Sequence, residues 1–231
     1  PSVAELVRGL LDNARKDPSS GSRRGELGMA YEIHGFPHAA YTSYVQAENR
    51  EPTDARWPYY QALMLAKQGF HEQALTALDR AIEIDPEYGA AWMWRATWCL
   101  DIGLNGQAEQ GFERAKSLGL EAVADAGIAR LRLHQDRPEE AVAILEPLSQ
   151  KARYPSIYQL LGRAYRETGR VDEARIALAR GRTTQPLSWS DEWEEEKRAY
   201  EVGFQARILR SQRALKLDRI GEALTILEAL I

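Results

Sequence analysis

Small, bulky and turn-forming residues recur along this chain at a nearly fixed step. Ala40, Ala74, Ala108, Ala141 and Ala174 follow one another at intervals of 34, 34, 33 and 33 residues, and Ala223 comes 49 further on. Twelve positions before each anchor stands a second small residue: Gly28, Ala62, Ala96, Ala129, Gly162 and Ser211. Four positions after it stands a large one: Tyr44, Leu78, Phe112, Leu145, Leu178 and Leu227. Two small residues facing each other let two helices approach closely, and the bulky residue one turn later fills the space beside them. Gly35, Gly69, Gly103 and Gly169 precede their anchors by five and predict the turn between the helices; Pro52, Pro86 and Pro186 follow by twelve and predict the stop of the second helix. Each period therefore reads as a helical hairpin, with five hairpins at 21–54, 55–88, 89–121, 122–154 and 155–188.

The residues at these positions closely resemble the tetratricopeptide repeat signature, W-x2-LG-x2-Y…A-x3-F…P with a period of about 34. Leu27-Gly28-x-x-Tyr31 with Ala40, Tyr44, Ala47 and Pro52 is one good match, and Tyr158-x-x-Leu161-Gly162-x-x-Tyr165 with Ala174, Leu178 and Pro186 is another. The resemblance implies an all-α fold: a right-handed α-α superhelix, or repeat solenoid, of five repeats plus a modified sixth with a long first helix. It divides the chain into an N-terminal amphipathic helix and linker (1–20), the five repeats (21–188), and a long helix with a partial sixth repeat (189–231).

Three departures carry expectations. Arg132 replaces the signature Tyr of the fourth repeat, and Pro147 inside its second helix predicts a shortened, irregular helix near 146–155. Ser188 with Asp191 predicts a capping-box start, and helix formers run from Asp191 to about Leu217, which predicts one long helix. The chain stops at Ile231, in the middle of a second helix, leaving Leu224, Leu227, Leu230 and Ile231 on an uncovered edge where repeat arrays carry a polar cap. Val3, Leu6, Val7, Leu10 and Leu11 form a comparable stripe on helix 3–14. The native chain continues past these ends, or it forms a homodimer through a terminus, or it frays from about residue 218.

Composition narrows the function classes. Ala, Glu, Lys, Leu and Arg make close to half the chain, as in long helical arrays. The formal charge of −4 argues against a general nucleic-acid binder. No run of about 18 uncharged apolar residues is present to span a membrane. Cys99, the single cysteine, lies in the apolar run 92–100 and reads as a buried thiol. The compartment stays open between cytoplasm and periplasm. Arg-rich, Lys-poor usage (24 against 6) has a bacterial look, and bacterial proteins of the resembled family often serve as assembly factors or adaptors.

Catalytic motifs are not in view: there is no P-loop, GxGxxG or GxSxG. His71-Glu72 opens like a metalloprotease motif, but Leu75 holds the second histidine position, so the pair reads as a helix start. Gly35 and Pro37 between His34 and His38 place a turn there rather than a metal-binding helix face. Asp191, Glu192, Glu194, Glu195 and Glu196 read as a solvated helix start. No cofactor and no metal is expected.

In the resembled family the first helix of each repeat lines the concave groove. Its inner positions here bring out two zones. Tyr59, Tyr60, Leu63, Met93 and Trp94 make an aromatic patch with Met29 at its margin, whereas Trp57, Trp92 and Trp98 read as core. Tyr60 and Trp94 are expected to be exposed to the groove. Arg130, Arg163 and Arg166 make a cationic patch, within a stretch (128–182) that carries 11 Lys and Arg against 7 Asp and Glu. The Lys/Asn carboxylate clamp of chaperone-binding relatives is absent: its positions hold Gly25, Met29, Tyr60, Ala90 and Trp94. The expectation is a non-enzymatic protein-interaction scaffold whose groove binds a partner peptide, with the arginines holding acidic or carboxylate groups. The alternatives are a regulatory or substrate-presenting domain of a larger enzyme and a self-assembling structural protein.

Overall fold

The computed structural model describes residues 2–151, 154–182 and 188–228; Pro186, Leu230 and Ile231 lie outside them. The described residues contain helices and no strand. In chain order they are α1 (Val3–Lys16), α2 (Gly21–Ile33), α3 (Pro37–Arg50), α4 (Arg56–Lys67), α5 (His71–Ile84), α6 (Gly89–Asp101), α7 (Asn105–Ser117), α8 (Glu121–His134), α9 (Pro138–Lys151), α10 (Pro155–Glu167), α11 (Val171–Arg180), α12 (Glu192–Glu196), a 3-10 turn (Lys197–Tyr200), α13 (Gly203–Lys216) and α14 (Ile220–Glu228). The chain forms two compact units, residues 1–64 with 192–231 and residues 65–191.

Local chemistry explains where these helices begin and turn. Ser2 and Glu5 form a reciprocal cap on α1, each accepting the other's backbone N–H at 3.2 and 2.8 Å. Ser20 caps α2. The repeated turn glycine takes a left-handed φ of 78–85° at Gly35, Gly69, Gly103 and Gly169. In the two hairpins that lack it, Asp136 and Asp218 take the same conformation at φ 56° and 59°. Asp tolerates that region better than most residues, so the turn survives without glycine.

In the first unit α2 packs on α3, and a Cβ on Gly28 would lie 2.7 Å from the Tyr44 ring. That contact is the small-against-large pairing expected from the spacing. α1 packs on α2 through Leu6, Val7, Leu10 and Leu11 against Leu27, Ala30, Tyr31 and Tyr200. Its stripe is therefore covered, contrary to the expectation of a bare N-terminal face. In the second unit α6–α7, α8–α9 and α10–α11 pair in turn. One core runs through Met93, Cys99, Leu100, Phe112 and Ile128, another through Leu133, Leu145, Leu161 and Tyr165. Cys99 is fully buried, and burial pushes its thiol pKa up. Trp57 and Trp98 are buried; Trp92 is half-buried, donating from Nε1 to the Pro86 carbonyl at 2.9 Å.

Two expectations fail. Pro147 does not shorten its helix: α9 runs through it to Lys151, with Leu145 and Leu148 buried on either side. The burial of that face outweighs the one backbone hydrogen bond a proline forfeits. The single long helix from Asp191 is also absent. A five-residue helix and a 3-10 turn are followed by extended backbone at Glu201–Val202, and α13 restarts at Gly203 with φ 85°. Tertiary anchors win over helix propensity here. Buried Glu201 accepts a two-pronged bond from Arg213 (2.9 and 3.1 Å), and Lys197 turns inward. At the far end α14 packs on α13, and Leu224 and Leu227 remain exposed.

Candidate peptide-binding site

The expected aromatic zone exists as a set of inner positions, but it is covered by the chain itself. In the first unit Met29, Tyr59, Tyr60 and Leu63 are buried. Residues 192–200 lie against them. The Trp193 indole meets the Tyr59 ring edge-on, with centroids 5.0 Å apart at 80°. The Tyr60 hydroxyl donates to the Trp193 carbonyl at 2.6 Å, with a Glu196 carboxylate oxygen as a second acceptor at 3.2 Å. Glu196 also pairs with Arg56 (2.7 Å), which Asp54 braces and whose guanidinium stacks 4.7 Å over Trp57. A Cβ on Gly25 would fall 2.1 Å from the Trp57 ring, so only glycine lets α2 approach there.

Lys197 sits at the centre of this arrangement with 2% of its surface exposed. Its Nζ is 2.7 Å from Glu32, bonds Glu194, and lies 4.2 and 6.0 Å from the Tyr60 and Tyr44 rings. The Tyr44 hydroxyl donates to the same Glu32 oxygen at 2.9 Å. Burial raises the pKa of both phenols, with the Glu32 charge adding at Tyr44 and the Glu196 charge at Tyr60. Both therefore stay protonated donors. The cage combines a carboxylate with two π faces, a combination that suits an ammonium group. One turn on, the Tyr200 carbonyl bonds His34 Nε2 at 2.9 Å.

The second unit repeats the theme on α6. Met93 is buried, and Trp94 is half-buried under Trp189, with centroids 4.8 Å apart. Asp191 accepts from the Tyr88 hydroxyl (2.8 Å) and from Trp94 Nε1 (3.3 Å). Groove exposure of Tyr60 and Trp94 is thus corrected, because the chain's own residues occupy their faces. The acidic run is corrected in the same way. Asp191, Glu194 and Glu196 are engaged in bonds to protein groups instead of forming a solvated helix start, and Asp191 caps no helix with Ser188.

The cationic positions remain at the surface of the second unit. Arg130 pairs with Asp101 and Arg163 with Glu167, all four side chains 31–43% exposed. Arg166 is exposed and has no ion pair among the described residues. His71 and Glu72 open α5, and His34 closes α2. Among the described residues no group of three or more His, Cys, Asp or Glu is placed to hold a metal, and no helix is long and apolar enough to cross a membrane.

Sequence reasoning missed what Trp189 and Asp191 do in the second unit and, in the first, Trp193 and Lys197 together with the Lys197 partners Glu32 and Tyr44. A signal was present: two tryptophans and a lysine inside an acidic insertion, where a solvated helix start needs none of them.

Family models described as tetratricopeptide repeat match residues 26–88, 59–126 and 132–190. No curated protein matches the sequence. Among solved structures, a tetratricopeptide repeat protein from Parabacteroides merdae superposes with a TM-score of 0.69 at 18% identity, over 98% of this chain and 85% of that one. MamA gives a TM-score of 0.63 at 19% identity over 80% and 97%, respectively. YrrB, described as a TPR protein with an unusual peptide-binding site, gives 0.64 at 12% identity over 74% and 90%. At such identities these likenesses concern the fold alone.

Proposed function

The chain belongs to the tetratricopeptide repeat family, whose arrays are protein-interaction scaffolds in general, and on that premise we propose that it is a non-enzymatic adaptor binding a partner's peptide segment along the inner positions of its first helices. The observation that carries this reading is the α4 face in the first unit. There Tyr59 and Tyr60 already hold a short peptide segment by one aromatic contact and one bond to a main-chain carbonyl. Main-chain capture with an aromatic anchor is how a surface recognises a peptide. YrrB is a protein of this fold described as binding peptide, which accords with the reading.

Arg130, Arg163 and Arg166 are proposed to take the partner's acidic or carboxylate groups. Arg130 and Arg163 are held by surface pairs worth about 0–1 kcal/mol each, so exchanging those for a ligand carboxylate is inexpensive. The test is capture of a partner by the intact chain, identification by mass spectrometry, and stopped-flow binding with the purified partner. Reversal of all three arginines to Glu should slow association by about tenfold or more at low salt, with the difference shrinking as salt rises. Association rates that are flat with salt and unchanged by the reversal would remove the arginines from the site.

A further inference from the structure

Lys197 raises a question that stability does not answer. A buried ammonium–carboxylate pair gains little over two neutral side chains of the same size, because desolvation consumes the Coulombic attraction. A methionine in place of Lys197 facing a glutamine in place of Glu32 would bury no charge at all. What the ion pair adds is discrimination: the pocket formed by Glu32, Tyr44 and Tyr60 takes a cation and rejects an acid.

The rest of the segment is read in the same manner. Trp193, one helical turn ahead of Lys197, is held by Tyr59 and Tyr60, and Glu196 is held by Arg56. The seat therefore reads a tryptophan, an acid three residues later and a lysine directly after that. Glu192, Glu195 and Arg198 point outward and are exposed, so the segment lies on the seat without threading through it. A helix of five residues does not form by itself in water. Its shape is imposed by the seat, as for a bound ligand.

We infer that the seat formed by Glu32, Tyr44, Arg56, Tyr59 and Tyr60 is a receptor for a partner protein's Trp-x-x-Glu-Lys segment, and that residues 193–197 are its tethered, displaceable occupant. This rests on the adaptor reading above and gives it a ligand chemistry and a built-in competitor. A tethered occupant competes at an effective concentration in the millimolar range. A partner must therefore match its chemistry closely to displace it, which makes the seat selective at the cost of apparent affinity.

The probe is a fluorescent synthetic peptide of residues 190–201, titrated by anisotropy into the full chain. Wild type should bind it weakly. The Trp193→Ala/Lys197→Ala chain, whose own segment no longer fits, should bind it at least about tenfold more tightly. A peptide carrying Lys197→Ala should lose that binding, and Glu32→Gln in the receiving chain should weaken it. If circular dichroism shows that the double variant loses helicity, Lys197→Met alone serves as the receiving chain and the same comparison decides. A folded receiving chain that binds the peptide no better than wild type overturns the proposal, as does equal binding of the Lys197→Ala peptide. A wild-type dimer in light scattering that the peptide dissociates would assign the seat to a second copy of this chain, and would overturn the tethered form. None of these failures touches partner capture or its dependence on Arg130, Arg163 and Arg166, so the adaptor reading stands or falls separately.

Discussion

Replacing Lys197 with methionine isolates the electrostatic content of the seat. The aliphatic stem beside Tyr60 is kept and only the ammonium is lost. Glu32, whose side chain is 11% exposed, then loses its cation at 2.7 Å and shares the pocket with Glu194, a like charge. Breaking a buried ion pair from one side costs about 3–5 kcal/mol. Glu194 is 31% exposed and is screened by water, so the low end, about 3 kcal/mol, is the expected loss. The reverse experiment sharpens the inference. Glu32→Gln with Lys197→Met removes the buried Glu32–Lys197 pair and leaves only Glu194, 31% exposed and so hydrated, without its cation; it should lie within about 1 kcal/mol of wild type, since swapping a buried pair for neutral groups is close to even. A global melt is the wrong assay for this segment, because it reads the unfolding of whole units and not the local opening of residues 193–201. Hydrogen exchange of amides 193–201 reads the local opening directly. About 3 kcal/mol corresponds to roughly two decades faster exchange in Lys197→Met, restored to within about tenfold in the double variant. Exchange in Lys197→Met within about threefold of wild type would mean that the ammonium contributes no such energy, and so would a double variant no better than the sum of its single changes.

Two further expectations concern the second unit. Gly127→Ala on α8 would set a Cβ 2.4 Å from the Phe112 ring, which is buried and cannot yield; overpacking of about 1–3 kcal/mol, less about 1 kcal/mol of helix propensity, should lower the urea midpoint, and an unchanged or raised midpoint would refute the contact. The Arg132 guanidinium holds the Glu109 carboxyl below its ordinary value of 4.5. A carboxyl depressed by folding lends stability above its unfolded value and loses it as pH falls through its folded one, so wild type should exceed Arg132→Gln in stability near neutral pH by a margin that shrinks below about pH 4.5; a margin constant with pH would remove the pair.

What could be read in the sequence follows from what periodicity encodes. The anchors Ala40, Ala74, Ala108, Ala141 and Ala174 report which helix faces approach closely, and buried Tyr44, Leu78, Phe112 and Leu145 fill those contacts. Even the missing turn glycine of the fourth hairpin has a chemical substitute in Asp136, which a search for glycine alone passes over. Periodicity reports a face and not what covers it. Tyr59, Tyr60 and Trp94 are on the positions expected to face inward, and residues 95 or more positions away in sequence lie over them. Residues 191–217 show the same limit from the opposite side. Their local propensity favours one helix, and the break comes from long-range anchors: Lys197 to Glu32, the Tyr200 carbonyl to His34, and the left-handed Gly203. No window of a few residues contains that information.

The two candidate zones also differ in what a ligand must overcome. The arginine positions are bound by exposed pairs such as Arg130–Asp101 and Arg163–Glu167, which water screens and which exchange partners at small cost. The aromatic seat must first release an indole, a carbonyl acceptor and a buried ammonium, each already satisfied within the chain. On the proposed reading, charge at the arginines would set how fast a partner arrives, because steering acts through solvent-facing groups and weakens as salt screens them. If the proposed seat receives a partner, it would decide that partner's identity, because a competitor that lacks either the tryptophan or the lysine would leave a buried carboxylate or an aromatic face unfilled, and the chain's own segment would win.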